Sequence, residues 1–143
     1  SICVILANIS KARILIAQTR SGTLEVNREL IHSDSRLKEQ DLVADGTGST
    51  NDSGGYGKHS MGYEKNARQR QAEIFAHEIC DEVEKIRRNG ELGRIHLIAA
   101  PKFLGLLRNS FNKQCSTLLV DEINKDLVNH SIEDIRSHLP RQL

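Results

Sequence analysis

RIHLIAAPKFLGLLRNSFNKQCSTLLVDEI, residues 94–123, decides the fold. It opens on RIHLIAA (94–100), an apolar run of strand length. Pro101 follows, and proline suits a first helical turn, where its missing N–H would have had no partner anyway. Phe103, Leu104, Leu107 and Phe111 then recur at helical spacing and give that helix one apolar face. The stretch closes on STLLVDEI (116–123), a second strand-length run. Strand, helix and strand in this order predict two parallel strands of one sheet, joined by a right-handed crossover.

Upstream, the pattern is antiparallel. ICVILA (2–7) reads as a buried strand, and ARILIAQT (12–19) as a second, with alternation at Ile14 and Ile16. Asn8-Ile9-Ser10-Lys11 between them has turn character and predicts a hairpin. Ser21-Gly22 makes the next turn. TLEVNRELI (23–31) alternates Leu24, Val26, Arg28 and Leu30, which predicts a third strand with one polar face. Between the two halves of the sheet, Ala72, Phe75, Ala76, Ile79, Val83 and Ile86 keep helical spacing. Asn66 and Gln69 read as a capping-box variant at the start of that helix. Asn89-Gly90 ends it, with Lys85, Arg87 and Arg88 in the last turn, as the helix dipole favours. Downstream, Ser131 and Asp134 cap a short helix with Ile132, Ile135 and Leu139 on its apolar side. The order is βββ-α-β-α-β-α. The expectation is one α/β domain over residues 1–143, a mixed sheet of about five strands with helices packed on it.

Composition narrows the function classes. The chain has 143 residues and a formal charge of +1, so no global basic signature marks it for nucleic acid and any basic patch is local. Three Phe, two Tyr and no Trp exclude a broad aromatic platform for stacking single-stranded bases. The longest apolar runs are strand-length, so no membrane span is expected. The opening SICVILANIS has no basic leader region or small-residue cleavage site and does not begin with Met. The expected location is cytoplasmic, with an exported precursor left open. Cys3, Cys80 and Cys115 are odd in number and set in apolar or helical context, which predicts buried reduced thiols.

The most unusual stretch is DGTGSTNDSGGYGKHSMG (45–62), with six glycines in eighteen residues. A structureless segment of this length in a small domain is either flexible or functional. Glycine lets backbone amides approach a ligand closely. The stretch is not a P-loop, because Lys58 is followed by His59 rather than Ser or Thr. It leads into a helix whose entry carries Lys58, His59, Lys65, Arg68 and Arg70 against the single acid Glu64. Cations near a helix amino end oppose its dipole by roughly 0.3–1 kcal/mol each. A compensating anionic partner such as phosphate gives that arrangement a purpose. The candidate binding residues are therefore Gly57, Lys58, His59, Lys65, Arg68 and Arg70.

Other constellations carry less. His77 stands four residues from Glu73 and from Asp81, an ordinary helix-surface spacing. Asp34, Asp41, Asp45 and Asp52 lack the spacing of a calcium loop. Cys and His have no zinc-ligand spacing, and no G-x-S-x-G elbow occurs. No metal and no cofactor is expected, and a metal-dependent nuclease would draw on Asp121 and Glu122 of the last strand.

Five stretches together resemble one bacterial family. They are ANISKARIL (7–15), HSDSRLKEQDLVAD (32–45), DSGGYGKHSM (52–61), APKFLGLLR (100–108) and EINKDL (122–127). The chain is similar along essentially its whole length to the host attachment proteins, a family grouped with bacterial relatives of archaeal and eukaryotic class-1 release factors. That resemblance implies the ribonuclease-H-like fold of the release factors' middle domain. It also implies a Gly-Gly-Gln loop before a long helix, where the backbone N–H of the third residue stabilises a developing oxyanion during ester hydrolysis. Here Gly54-Gly55 is followed by Tyr56, which keeps the N–H but replaces Gln. The resemblance therefore implies Gly54, Gly55 and Tyr56 as backbone catalytic positions, peptidyl-tRNA as substrate, and the ribosome or tRNA as partner. The second expectation is a non-enzymatic factor acting in attachment to host cells. The oligomeric state is open.

Overall fold

The computed structural model describes residues 1–32, 57–90 and 92–143, and describes only the backbone of 57–65. Five strands form one mixed sheet: β1 (Ile2–Ala7), β2 (Lys11–Ala17), β3 (Glu25–Ile31), β4 (Arg94–Ala99) and β5 (Leu119–Asn124). The spatial order is β3-β2-β1-β4-β5. β2 runs antiparallel to both β1 and β3, whereas β4 lies parallel to β1 and β5 parallel to β4. The antiparallel hairpins and the parallel β-α-β unit anticipated above are both present.

β1 is central, and every one of its residues is buried. A strand covered on both faces must be apolar throughout, hence the continuous run ICVILA. Its side chains alternate between two cores. Cys3, Ile5 and Ala7 join Ile14, Leu97 and the long helix α1 (Gly57–Asn89) on one face. Ile2, Val4 and Leu6 join Leu15, Ile98, Leu127, Val128 and the short helix α4 (Ile132–Ser137) on the other. Helices α2 (Pro101–Ser110) and α3 (Lys113–Leu118) share the α1 face through Phe103, Leu104, Leu107 and Cys115. The molecule is thus three-layered.

Three local expectations are corrected. α1 begins at Gly57, not at Asn66. Asn66 is therefore an interior helical residue, and the capping box is not used. Once a helix is nucleated, each further residue adds a hydrogen bond, so the helix extends through Lys58, Met61, Glu64 and Lys65 despite the unfavourable Gly57 and Gly62. Residues 116–118, expected to open the last strand, instead finish α3. Asn112 nucleates that turn: its Oδ1 accepts from the Cys115 N–H at 2.8 Å. The third strand does not keep its parity. Leu15 pairs with Val26 and Ile14 with Arg28, so Asn27 is an extra residue and the face flips there. Leu24 consequently enters the second core, while Leu30 packs on the first.

Capping at the last helix follows expectation. The Ser131 side chain accepts from the Asp134 N–H at 3.1 Å. The turn into β3 closes with Gly22 N–H donating to Thr19 O at 3.1 Å. A Cβ on Gly22 would stand 2.7 Å from Thr19 Oγ1, so only glycine fits there without displacement.

Candidate functional site

β1, β4 and β5 are parallel and end at the same edge of the sheet, where open α/β sheets generally bind their ligands. The amino half of α1 arrives over that edge. Among the described side chains, Ala72 is the first of α1 to be buried, and burial continues through Val83. The part of α1 from Ala72 onward measures about 27 Å, close to the length of the strands it covers, and residues 57–71 add about 22 Å beyond it. The basic segment thus belongs to the amino half of this long helix.

Beneath it lies a cleft of about 720 Å³. α1 contributes Arg68, Gln69 and Ala72, and the residues after β1 contribute Asn8 and Ile9. The start of α2 adds Ala100, Pro101, Lys102 and Phe103, with Leu106 one turn later, and Asp126 closes the side beyond β5. Asn8 is held by its own turn: its Oδ1 accepts from the N–H groups of Ser10 and Lys11, both at 2.9 Å. Its amide nitrogen then donates to Asp126 Oδ2 at 3.3 Å, bridging the ends of β1 and β5 across β4. Ala100 occupies the N-cap of α2 and makes no side-chain cap, and the first turn contains no acid. The amides of Lys102 and Phe103 there have no capping side chain among the described residues, and the helix end favours an anion.

Two other polar centres lie deeper. His96 on β4 is 2% exposed, and neither of its ring nitrogens has a hydrogen-bond partner among the described residues. Asp121 on β5 faces it at 3.6 Å. Burial pushes the His96 imidazole below its ordinary value; Asp121 opposes this, while Arg94 and Arg136 reinforce it. On the opposite face, Glu84 accepts from Arg87 at 2.6 Å and 2.9 Å, from Arg88 at 3.0 Å, and from the Cys115 thiol at 3.2 Å. Hydrogen bonds from Arg87 first, then Asn112, hold its carboxyl well below the usual carboxylate range. All three cysteines are free and buried. Burial pushes the Cys80 thiol up to about 12 and Cys115 up to about 11, so neither is a ready nucleophile.

The sequence-derived candidates divide accordingly. Gly54, Gly55 and Tyr56 lie outside the described residues. Most of the 45–62 stretch does too, but Gly57–Gly62 is helical, so the loop ends earlier than expected. Gly57, Lys58, His59 and Lys65 belong to the backbone of α1. Arg68 and Arg70 are exposed, and Arg68 lines the cleft. With the helix starting at Gly57, only Lys58 and His59 stand in the first turn, where the dipole acts. Arg68 and Arg70 lie deeper in the helix, beyond its reach. Among the described residues, no group of three or more His, Cys, Asp or Glu could hold a metal ion.

Residues 3–139 match the family described as "Protein required for attachment to host cells". The chain belongs to this family. Three of the five stretches that carry its likeness to the host attachment family, 7–15, 100–108 and 122–127, supply Asn8, Lys102 and Asp126 and meet at the cleft. No curated protein matches this host attachment chain significantly. No helix among its described residues is long and apolar enough to cross a membrane.

Sequence reasoning missed Asn8, Lys102 and Asp126. Lys102 carried a usable signal, a cation in a first helical turn with no acid beside it. Asn8 and Asp126 carried none, because they are 118 positions apart and only the strand order brings them together.

Proposed function

We propose that this host attachment protein is an RNA-docking module. Its contact surface is the amino part of α1 with the cleft at its root, and its partner is the ribosome or tRNA. The observation that carries the reading is the position of Arg68: it lines the same cleft as Lys102, in the amino half of the 33-residue helix α1. Arg70 extends the same basic surface, and Lys58, His59 and Lys65 are proposed to continue it. Phosphate contacts position such a protein without reading base sequence. The scarcity of aromatics fits this mode, because backbone docking needs no stacking platform.

The release-factor relationship and the ribonuclease-H-like fold belong to the same proposal. Their support is the mixed sheet, with an antiparallel meander on one side of β1 and parallel strands on the other, followed by a long helix after β3. Ester hydrolysis of peptidyl-tRNA at the backbone of Gly54, Gly55 and Tyr56 is proposed on the resemblance alone. Co-sedimentation with ribosomes at graded salt tests the binding reading. The expected outcome is a ribosome-bound fraction at low salt that declines as salt rises. Absence from the ribosomal pellet at low salt would overturn it and leave a non-enzymatic attachment factor as the better account.

A further inference from the structure

We propose that the cleft at the carboxyl ends of β1, β4 and β5 seats one nucleoside monophosphate unit. The phosphate lies between Arg68, Lys102 and the amino end of α2, and the ribose hydroxyls face Asn8 and Asp126. This rests on the RNA reading and defines its ligand, a free nucleotide or one nucleotide of a strand.

The walls of the cleft define its ligand. A volume of about 720 Å³ lies in the range of small-molecule sites, roughly 300–1,000 Å³. It is far more than an inorganic phosphate needs. Ile9, Ala72, Phe103 and Leu106 make an apolar lining that suits a planar base rather than a bare sugar phosphate. The two cations come from different helices, Arg68 from α1 and Lys102 from α2, and they flank a helix start without a capping side chain. That end of the cleft takes the negative charge. Asp126 makes the far end unfavourable for a second phosphate by like-charge repulsion, so a polyphosphate does not fill the cleft. A carboxylate there accepts from a hydroxyl. Asn8 fixes it in place through the 3.3 Å bond and is itself fixed by two backbone donors.

Calorimetric titration tests this on the whole chain, with adenosine monophosphate, adenosine, ribose 5-phosphate, 2′-deoxyadenosine monophosphate and a six-nucleotide RNA as probes. Saturable binding of adenosine monophosphate is expected. Adenosine and ribose 5-phosphate should each bind at least about tenfold more weakly. Lys102→Gln should weaken the nucleotide about tenfold. Asp126→Ala should abolish the preference for ribose over deoxyribose. Leu106→Trp, at a half-buried position, should fill the cleft and block binding, with circular dichroism and melting temperature reporting that the fold is kept. If only the RNA binds, and Leu106→Trp blocks it, the source is a strand and the proposal stands. If the mononucleotide binds and no RNA does, the cleft proposal stands and the RNA reading falls. If RNA binds equally well to Leu106→Trp and no mononucleotide binds, the cleft proposal is overturned while RNA docking survives. No saturable binding of any probe overturns both.

Discussion

His96 shows how a single residue ties pH to the stability of the fold. It sits on β4 opposite Val4 and Asp121, inside the second core. Its imidazole is held neutral by burial, so the folded chain resists a proton that the unfolded chain accepts near 6.5. Stability is therefore complete above that value and declines as pH falls through it. Glu84 acts lower on the scale. Its folded carboxyl is depressed below the ordinary 4.5, so its contribution is lost as pH falls beneath 4.5. Urea unfolding from pH 8 to pH 3 should show both declines. His96→Leu should flatten the upper one and Glu84→Gln the lower. An unchanged upper decline in His96→Leu would assign it to another group. Phe75 is the core counterpart: fully buried, it stacks on His32 at 4.9 Å and on Phe103 at 6.0 Å. Phe75→Ala should cost about 3–5 kcal/mol in the same assay.

At the scale of elements, the legible ones were those whose pattern and neighbours agree. β1 reads from its apolar run because both of its faces are covered, and the Ala72–Val83 face of α1 reads from its spacing because one side meets the sheet. The misread boundaries depend on local hydrogen bonds instead. Asn112 decides whether 116–118 is helix or strand, and Asn27 decides which way β3 faces. His32 opens the polar stretch after β3, yet it is 6% exposed, with Nε2 3.1 Å from Gln71 Oε1. Nothing local predicted that, since its partners come 39 or more positions later. The caps are separately testable. Asn112→Ala and Ser131→Ala should each cost about 1 kcal/mol in thermal or chemical unfolding. A negligible cost for Asn112→Ala would mean that α3 is held by Cys115 packing alone.

For the whole molecule, the sheet was legible and the site was only half so. The β-α-β unit and the hairpins each announce themselves in sequence, but the order that puts β1 between β2 and β4 is a tertiary fact. That order unites Asn8, Lys102 and Asp126 with Arg68. Charge marks Arg68 and, at a helix start, Lys102 in the sequence, whereas nothing local marks Asn8 or Asp126. RNA docking through the amino part of α1 above this cleft is electrostatic. It is tested most directly by the salt dependence of binding to a single-stranded RNA, comparing the native chain with an Arg68→Gln, Arg70→Gln variant. Each phosphate contact contributes a slope of about −0.7 in log K against log salt for a single strand. The variant should bind more weakly, with a slope shallower by about 1.4 and stability nearly unchanged, because Gln suits a helix about as well as Arg. Unchanged affinity and slope in the variant would contradict it.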